Sequence, residues 1–243
     1  MQLNCDLGED FGAWRMPVNE AIMQFINQAN VACGFHAGDP SAILNTIRLS
    51  KQHNLSIGAH PSYPDLVGFG RRHIAMSADD LYATLCYQIS AVKGMCALSG
   101  ATLDYVKPHG ALYNDCIKHP DVRRVVMKAV SQFEGLTLMI QAVPEYTQFM
   151  SEANAFGLTL QFEAFVDRRY SESGALVPRQ QSGAVLNIDE ALQQAKLLIQ
   201  SKQVKTLAGD LLDVNASTLC LHGDNPDSLE LAKSIAQLLA STE

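Results

Sequence analysis

A β/α barrel of about seven strands is the fold class the sequence predicts, and three observations predict it. Short β-type runs alternate with longer stretches of helical periodicity along almost the whole chain, the signature of a parallel sheet with helical crossovers. The 243 residues show no fixed-period repeat, no low-complexity segment and no linker, so residues 1–243 read as one domain. Nearly every predicted strand ends in a polar or titratable residue. A closed barrel gathers such ends on one rim, whereas an open sheet spreads them along a line.

The strands are predicted at residues 2–7, 31–35, 56–59, 104–107, 136–141, 158–165 and 218–221. The first helix is predicted over 17–28. The next starts at Asp39-Pro40, a good cap followed by a good first residue, and places Ile43, Leu44 and Ile47 on one face. Ser77 with Asp80 three residues on resembles a capping box; Leu81, Leu85, Ile89 and Val92 then keep the helical period. Further helices are predicted over 121–131, 144–155, 189–200 and 226–239, the last with Asn225 as cap and Pro226 at its first position. Residues 204–214 read as a short strand or an edge hairpin. Two connections, 61–76 and 166–187, are long enough to be functional loops; they carry Arg71-Arg72 and Arg168-Arg169.

Composition excludes several classes. With 18 Lys and Arg against 25 Asp and Glu, the net charge is −7, contrary to the basic stripe of a nucleic-acid binder and to a polybasic membrane-surface protein. A chain with 47% hydrophobic and 18% charged residues is globular. Its first residues lack the basic and apolar regions of a secretory leader, and no run approaches a membrane span. Six cysteines without a CxxC pair read as reduced thiols of a cytoplasmic protein.

The polar strand ends are the candidate site. The first strand supplies Asn4 and Asp6, then Glu9; the second starts at Asn30 and is followed by His36 and Asp39. The third ends at His60, and the fourth at Lys107 with His109. The fifth ends at Gln141, the sixth carries Glu163, and the last is followed by His222 and Asp224. Four of the seven histidines thus fall at strand ends. A lone strand-end histidine is commonly a satisfied loop residue, but four on one rim point to a shared site. Asp39 reads equally well as a helix cap. Asp6, inside an apolar strand, needs a partner to be buried.

Carboxylate beside imidazole suits general acid–base work, which makes Asp6, His36 and His60 candidates for activating water. The same three offer O, N and N donors to a divalent metal, if one is present. Lys107 and His109 are candidates for oxyanion stabilisation. Arg71 and Arg168 suit a carboxylate or phosphate. Asn4, Glu9, Asn30, Glu163 and His222 complete the expected substrate-binding set. These are the parts of a hydrolase for an amide, ester or lactam. No GxxxxGK[ST], HExxH or GxSxG motif occurs, and His73 occupies the third glycine position after Gly68-Phe69-Gly70.

Six blocks, in order, resemble the LamB/YcsF family. They are Asn4-Cys5-Asp6-Leu7-Gly8-Glu9; residues 30–39 (NVACGFHAGD); Gly58-Ala59-His60-Pro61-Ser62-Tyr63-Pro64-Asp65, running on to Gly68-Phe69-Gly70-Arg71; residues 107–114 (KPHGALYN); residues 163–170 (EAFVDRRY); and Cys220-Leu221-His222-Gly223-Asp224. The resemblance spans essentially the whole chain. It implies a distorted seven-stranded β/α barrel similar to the polysaccharide-deacetylase type. It also implies ATP-dependent cleavage of 5-oxo-L-proline to L-glutamate in a complex with subunits B and C, with ATP held through those partners. Two other readings stay open: a stand-alone metal-dependent deacetylase or amidohydrolase, and a non-catalytic ligand-binding subunit.

Overall fold

The computed structural model describes residues 1–16, 20–179, 181–223 and 227–241. Its strands are β1 (Gln2–Leu7), β2 (Gln28–Ala32), β3 (Ser56–His60), β4 (Tyr105–Val106), β5 (Thr137–Gln141), β6 (Thr159–Phe165), β7 (Gln203–Lys205), β8 (Leu211–Asp213) and β9 (Thr218–Leu221). Seven of them close a barrel in the order β1-β2-β3-β4-β5-β6-β9, every pairing parallel. β7 and β8 form a separate antiparallel hairpin, the second of the two readings of residues 204–214. The helices are α1 (Pro40–Gln52), α2 (Ala78–Leu98), α3 (Gly110–Lys118), α4 (Pro120–Val130), α5 (Tyr146–Asn154), α6 (Ile188–Ser201) and α7 (Ser228–Ala240). None of the helices among the described residues is long and apolar enough to cross a membrane.

Strand parity separates two environments. Successive side chains on a strand point to opposite faces. On one face Leu3, Val31, Ile57, Val106, Leu138, Ile140, Ala164, Leu219 and Leu221 join the apolar core with the helices. Each large aliphatic side chain buried there contributes about 1.5–3 kcal/mol. The other face, inside the barrel, is polar and knitted across the strands. Asn4 Nδ2 donates to Thr218 Oγ1 at 3.0 Å, Thr218 donates to Gln28 Oε1 at 2.7 Å, and Gln28 Nε2 donates to Gln161 Oε1 at 3.1 Å. One layer up, Tyr105 donates its hydroxyl to Asn30 Oδ1 at 2.6 Å. Gly58 sits between Asn30 and Tyr105 in the ladder. It makes room for that ring, since a Cβ there would lie 2.1 Å from Tyr105 Cε2.

The expectations hold in outline and fail at three places. The helix expected over 17–28 is only a 3-10 turn at Glu20–Gln24; residues 17–19 lie outside the described set. Gln28 is already in β2, pulled there by its pairing with Asn4. β2 consequently runs three residues earlier than expected, and Cys33 to Gly38 form a rim loop instead of a strand end. α3, Gly110–Lys118, is a helix that the periodicity does not single out. Asp39 is a helix cap: Oδ1 accepts from the Ser41 and Ala42 amides, both at 2.9 Å. Asp224, Asn225 and Pro226 lie outside the described residues; the described cap of α7 is Asp227.

α3 begins at a tight crossing. Gly110 has φ +56°, and a Cβ there would lie 2.5 Å from the Gly70 carbonyl oxygen, which accepts from the Ala111 amide at 2.8 Å. Left-handed strain alone costs about 1–3 kcal/mol. Gly110→Ala is therefore expected to lower the melting temperature by about 2–12 °C, read by thermal denaturation.

Candidate active site

A cleft of about 230 Å³ opens at the carboxyl ends of the strands, smaller than the roughly 300–1,000 Å³ of sites for drug-sized ligands. Asp6, Glu9, His60, Lys107 and His109 line its inner part, and Arg71, Arg168 and His222 line its walls. Parity brings Asp6 and His60 to the inner face of β1 and β3. Lys107 follows β4 with its amide tied to the Ala59 carbonyl at 2.9 Å. Glu9 and His36 meet because two rim loops touch: Gly38, at φ +85°, would place a Cβ 2.8 Å from the Gly8 carbonyl oxygen.

Lys107 is the electrostatic centre. Its buried ammonium lies 3.1 Å from Asp6 Oδ1 and 3.1 Å from Glu163 Oε2. It also donates to Asn4 Oδ1 at 3.3 Å and to Cys220 Sγ at 3.1 Å. Burial alone would lower its pKa, but the Asp6 and Glu163 carboxylates, with the Cys220 sulfur as a further acceptor, outweigh burial and hold it well above the usual lysine value. Burial alone would likewise raise the Asp6 carboxyl; His60 and Lys107 outweigh it and hold it well below the carboxylate range. Burial pushes the Cys220 thiol up, so it stays a thiol. Asn30 Nδ2 donates to Asp6 Oδ1 at 2.8 Å and fixes the carboxylate from the other side.

Three histidines pack beside this pair. The His36 and His109 rings stack with centroids 3.8 Å apart. His36 Nδ1 lies 3.1 Å from Ser62 Oγ, and its Nε2 lies 3.1 Å from Glu9 Oε1. His60 Nδ1 lies 2.7 Å from the Lys107 carbonyl oxygen, and its Nε2 is 3.2 Å from Asp6 Oδ2 and 3.0 Å from His109 Nδ1. His109 Nε2 lies 2.9 Å from the Phe69 carbonyl oxygen. Burial first, then the neighbouring histidines, hold His36 and His109 well below the ordinary imidazole value; both are neutral at pH 7.

The walls are cationic, and one arginine of each pair faces the cleft. Arg72 is bound to Asp65, and Arg169 donates to Glu190 at 2.7 Å, whereas Arg71 and Arg168 line the cleft. Arg168 is buried; it donates Nη2 to the Val177 carbonyl at 2.7 Å, and its Nε has no hydrogen-bond partner among the described residues. Burial, reinforced by Arg179, pushes its pKa down to about 10. His222 is oriented by Asp167, whose carboxylate oxygens lie 2.9 and 3.0 Å from Nδ1, and stacks on Phe165.

The structure thus brings Asp6, His60, Lys107, His109, Glu9, Arg71, Arg168 and His222 to one cleft, with His36 directly behind it. Three placements differ from expectation. Asn4, Asn30 and Glu163 do not line the cleft: all three are fully enclosed within the barrel, where they hold Asp6 and Lys107. The donors that converge as a group are Glu9, His36, His60 and His109, within 4.8 Å of one another, and not Asp6, His36 and His60. Asp6 is instead held by Lys107, Asn30 and His60. His109 has Nε2 against a carbonyl and Nδ1 against His60, so Lys107 alone supplies the expected positive charge. Sequence reasoning does not single out Ser62 or Asp167 as orienting residues, nor Cys220 beside the ammonium. Cys220 shares the parity of Thr218 on its strand, and that parity is the signal that could have found it.

Known proteins resemble this chain over nearly its whole length. The LamB/YcsF family pattern matches residues 1–243. A Vibrio campbellii protein, named as the A subunit of 5-oxoprolinase, is 46% identical over 240 residues, covering 98% of this chain and 95% of the relative. A Pseudomonas fluorescens protein of the same name is 45% identical over 239 residues, covering 98% and 96%. The crystal structure of a lactam utilization protein from Thermus thermophilus superposes with a TM-score of 0.90 at 39% identity, covering 99% of this chain and 96% of that one. With a full-length pattern match and relatives this similar over nearly their whole length, the chain belongs to the LamB/YcsF family.

Proposed function

We propose that this chain is the component of an ATP-dependent 5-oxoprolinase in which the lactam ring of 5-oxo-L-proline is opened to L-glutamate, with ATP handled by partner subunits B and C. One observation carries the reading: a small cleft combines an Asp6–Lys107 ion pair at its base with a buried, incompletely bonded Arg168 on its wall. The near-full-length relatives, named as the A subunit of 5-oxoprolinase, support it.

The substrate offers a carboxylate and a lactam carbonyl. A carboxylate against Arg168 supplies the acceptor that its Nε lacks and compensates a buried cation. The lactam is a poor electrophile. Transfer of a phosphoryl group from ATP to the lactam oxygen gives ADP and an activated carbon. Water adds there, the C–N bond breaks with a proton passing to nitrogen, and a second water releases phosphate and glutamate. Asp6, ionised across the working pH range, orients the first water and accepts its proton. Asn30 and Lys107 fix the carboxylate. Lys107 places positive charge where the oxygen becomes negative.

The test is an assay of the purified chain on 5-oxoproline with ATP, alone and with the two partner proteins. Glutamate release is expected only in the complete, ATP-containing mixture. Release by this chain alone without ATP would establish the simple amidohydrolase instead, and release by the partners without this chain would remove it from the chemistry.

A further inference from the structure

We propose that Glu9, His36, His60 and His109 form a binding site for one borderline divalent transition cation of the Zn²⁺ class. The inference deepens the reading of the cleft, but it rests on hydrogen-bond directions and not on the substrate.

Each imidazole has one nitrogen committed as a donor. His60 Nδ1 and His109 Nε2 face backbone carbonyl oxygens at 2.7 and 2.9 Å, which only accept. Ser62 Oγ spends its proton on the Tyr63 carbonyl at 2.8 Å, so it accepts from His36 Nδ1. A neutral imidazole carries one N–H. In the neutral rings the remaining nitrogens, His36 Nε2, His60 Nε2 and His109 Nδ1, are therefore lone pairs; His60 Nε2 also lies 3.2 Å from Asp6 Oδ2, a contact that only a second proton on His60 or a cation on that nitrogen makes favourable.

Those three lone pairs converge on one another and on Glu9 Oε1. The His60 and His109 nitrogens lie 3.0 Å apart, His36 Nε2 lies 3.1 Å from Glu9 Oε1, and His109 Nδ1 lies 3.9 Å from the same oxygen. In that neutral state there is no hydrogen among them and the contacts repel; a cation at the centre of the four donors turns their contacts into bonds. Metal–nitrogen and metal–oxygen bonds of about 2.0–2.1 Å put neighbouring donors of a tetrahedral site about 3.4 Å apart; the three separations of 3.0, 3.1 and 3.9 Å straddle that value, and all four donor atoms lie within 4.8 Å of one another.

Two further features fit. Every histidine has the outer hydrogen-bond partner that fixes tautomer and ring orientation in metal sites. Glu9, His60 and His109 line the cleft while His36 closes the back, so a further coordination position opens toward the cleft. Three imidazoles with one carboxylate select a borderline transition ion over Mg²⁺ or Ca²⁺, which take oxygen donors. Such an ion, when bound, polarises an oxygen placed at that open position.

The competing state is a cluster filled by protons, on Glu9 and on one imidazole. Metal titration separates the two without any assay of turnover. The full-length chain is stripped with chelator and titrated with Zn²⁺ alone, and with Co²⁺ alone to read its visible absorption. One equivalent per chain is expected, with a rise in melting temperature that grows with metal concentration. Glu9→Gln should abolish the stoichiometric uptake. Ser62→Ala, which spares all four donors, should weaken affinity by about 10–100-fold. Asp6→Asn should retain the full equivalent. No uptake by the wild-type chain would overturn the proposal, and so would uptake lost in Asp6→Asn but kept in Glu9→Gln. Either result leaves the oxoprolinase assay to be judged separately.

Discussion

Asp6→Asn is expected to lower the rate of glutamate release by about 10²–10⁴-fold, the usual worth of a positioned proton acceptor, with little change in KM. The substitution keeps an oxygen for the Asn30 and Lys107 donors and removes only the charge and the ability to take a proton. Lys107 retains Glu163 at 3.1 Å as counter-ion, so the barrel interior remains compensated. Thermal unfolding and association with the partner proteins should match the parent. Steady-state kinetics of the reconstituted mixture decide the matter. Wild-type turnover in this variant would remove Asp6 from the chemistry, whatever else the cleft binds.

Lys107→Met is expected to have the largest effect on stability, a loss of about 3–5 kcal/mol. The ammonium is the shared partner of two carboxylates, one at 12% exposure and the other fully enclosed. A methionine fills similar volume, so the loss would come from charge. Asp6 would keep only Asn30 and His60, and Glu163 the Asn4 amide, in surroundings that penalise uncompensated anions. Urea unfolding measures the loss. Adding Glu163→Gln to Lys107→Met removes one stranded carboxylate and should recover part of the loss; Glu163→Gln alone, which leaves Lys107 paired with Asp6, should cost much less. If the two losses simply add, the charges are not coupled as the distances imply.

Much of this arrangement is legible in the sequence because the barrel strands alternate. Asn4 and Asp6, or Gly58 and His60, are two residues apart, and that spacing alone sends both to the same face. Composition then shows which face is inside, since the intervening Leu3, Cys5 and Leu7 must meet helices. What alternation cannot carry is the path of the rim loops. Sequence reasoning misplaces the start of β2 because Val31-Ala32-Cys33 is as β-prone as Gln28-Ala29-Asn30, and only pairing with β1 chooses between them. Arg71 and Arg72 are adjacent in sequence with the same charge, and what distinguishes them is the turn that brings Asp65 against Arg72. The convergence of Glu9 with His109 depends on loops meeting across the rim, 100 positions apart by their numbers. Strand-end logic therefore finds the right neighbourhood but chooses Asp6 instead of Glu9 for the histidine cluster.

The closure of the barrel also sets the order in which the site can come into being. β9 bridges β1 and β6, and Asn4 reaches Thr218 across 214 residues. During synthesis the wall from β1 to β6 can form early, but its two edges stay unpaired until Thr218–Leu221 has left the ribosome. Contacts of such separation are slow to form. Until then Lys107 has Asp6 and Glu163 but lacks Cys220, and His222 has not yet met Asp167. A chain stalled before β9 would expose two strand edges and a half-assembled charge cluster, a natural substrate for chaperones and proteases.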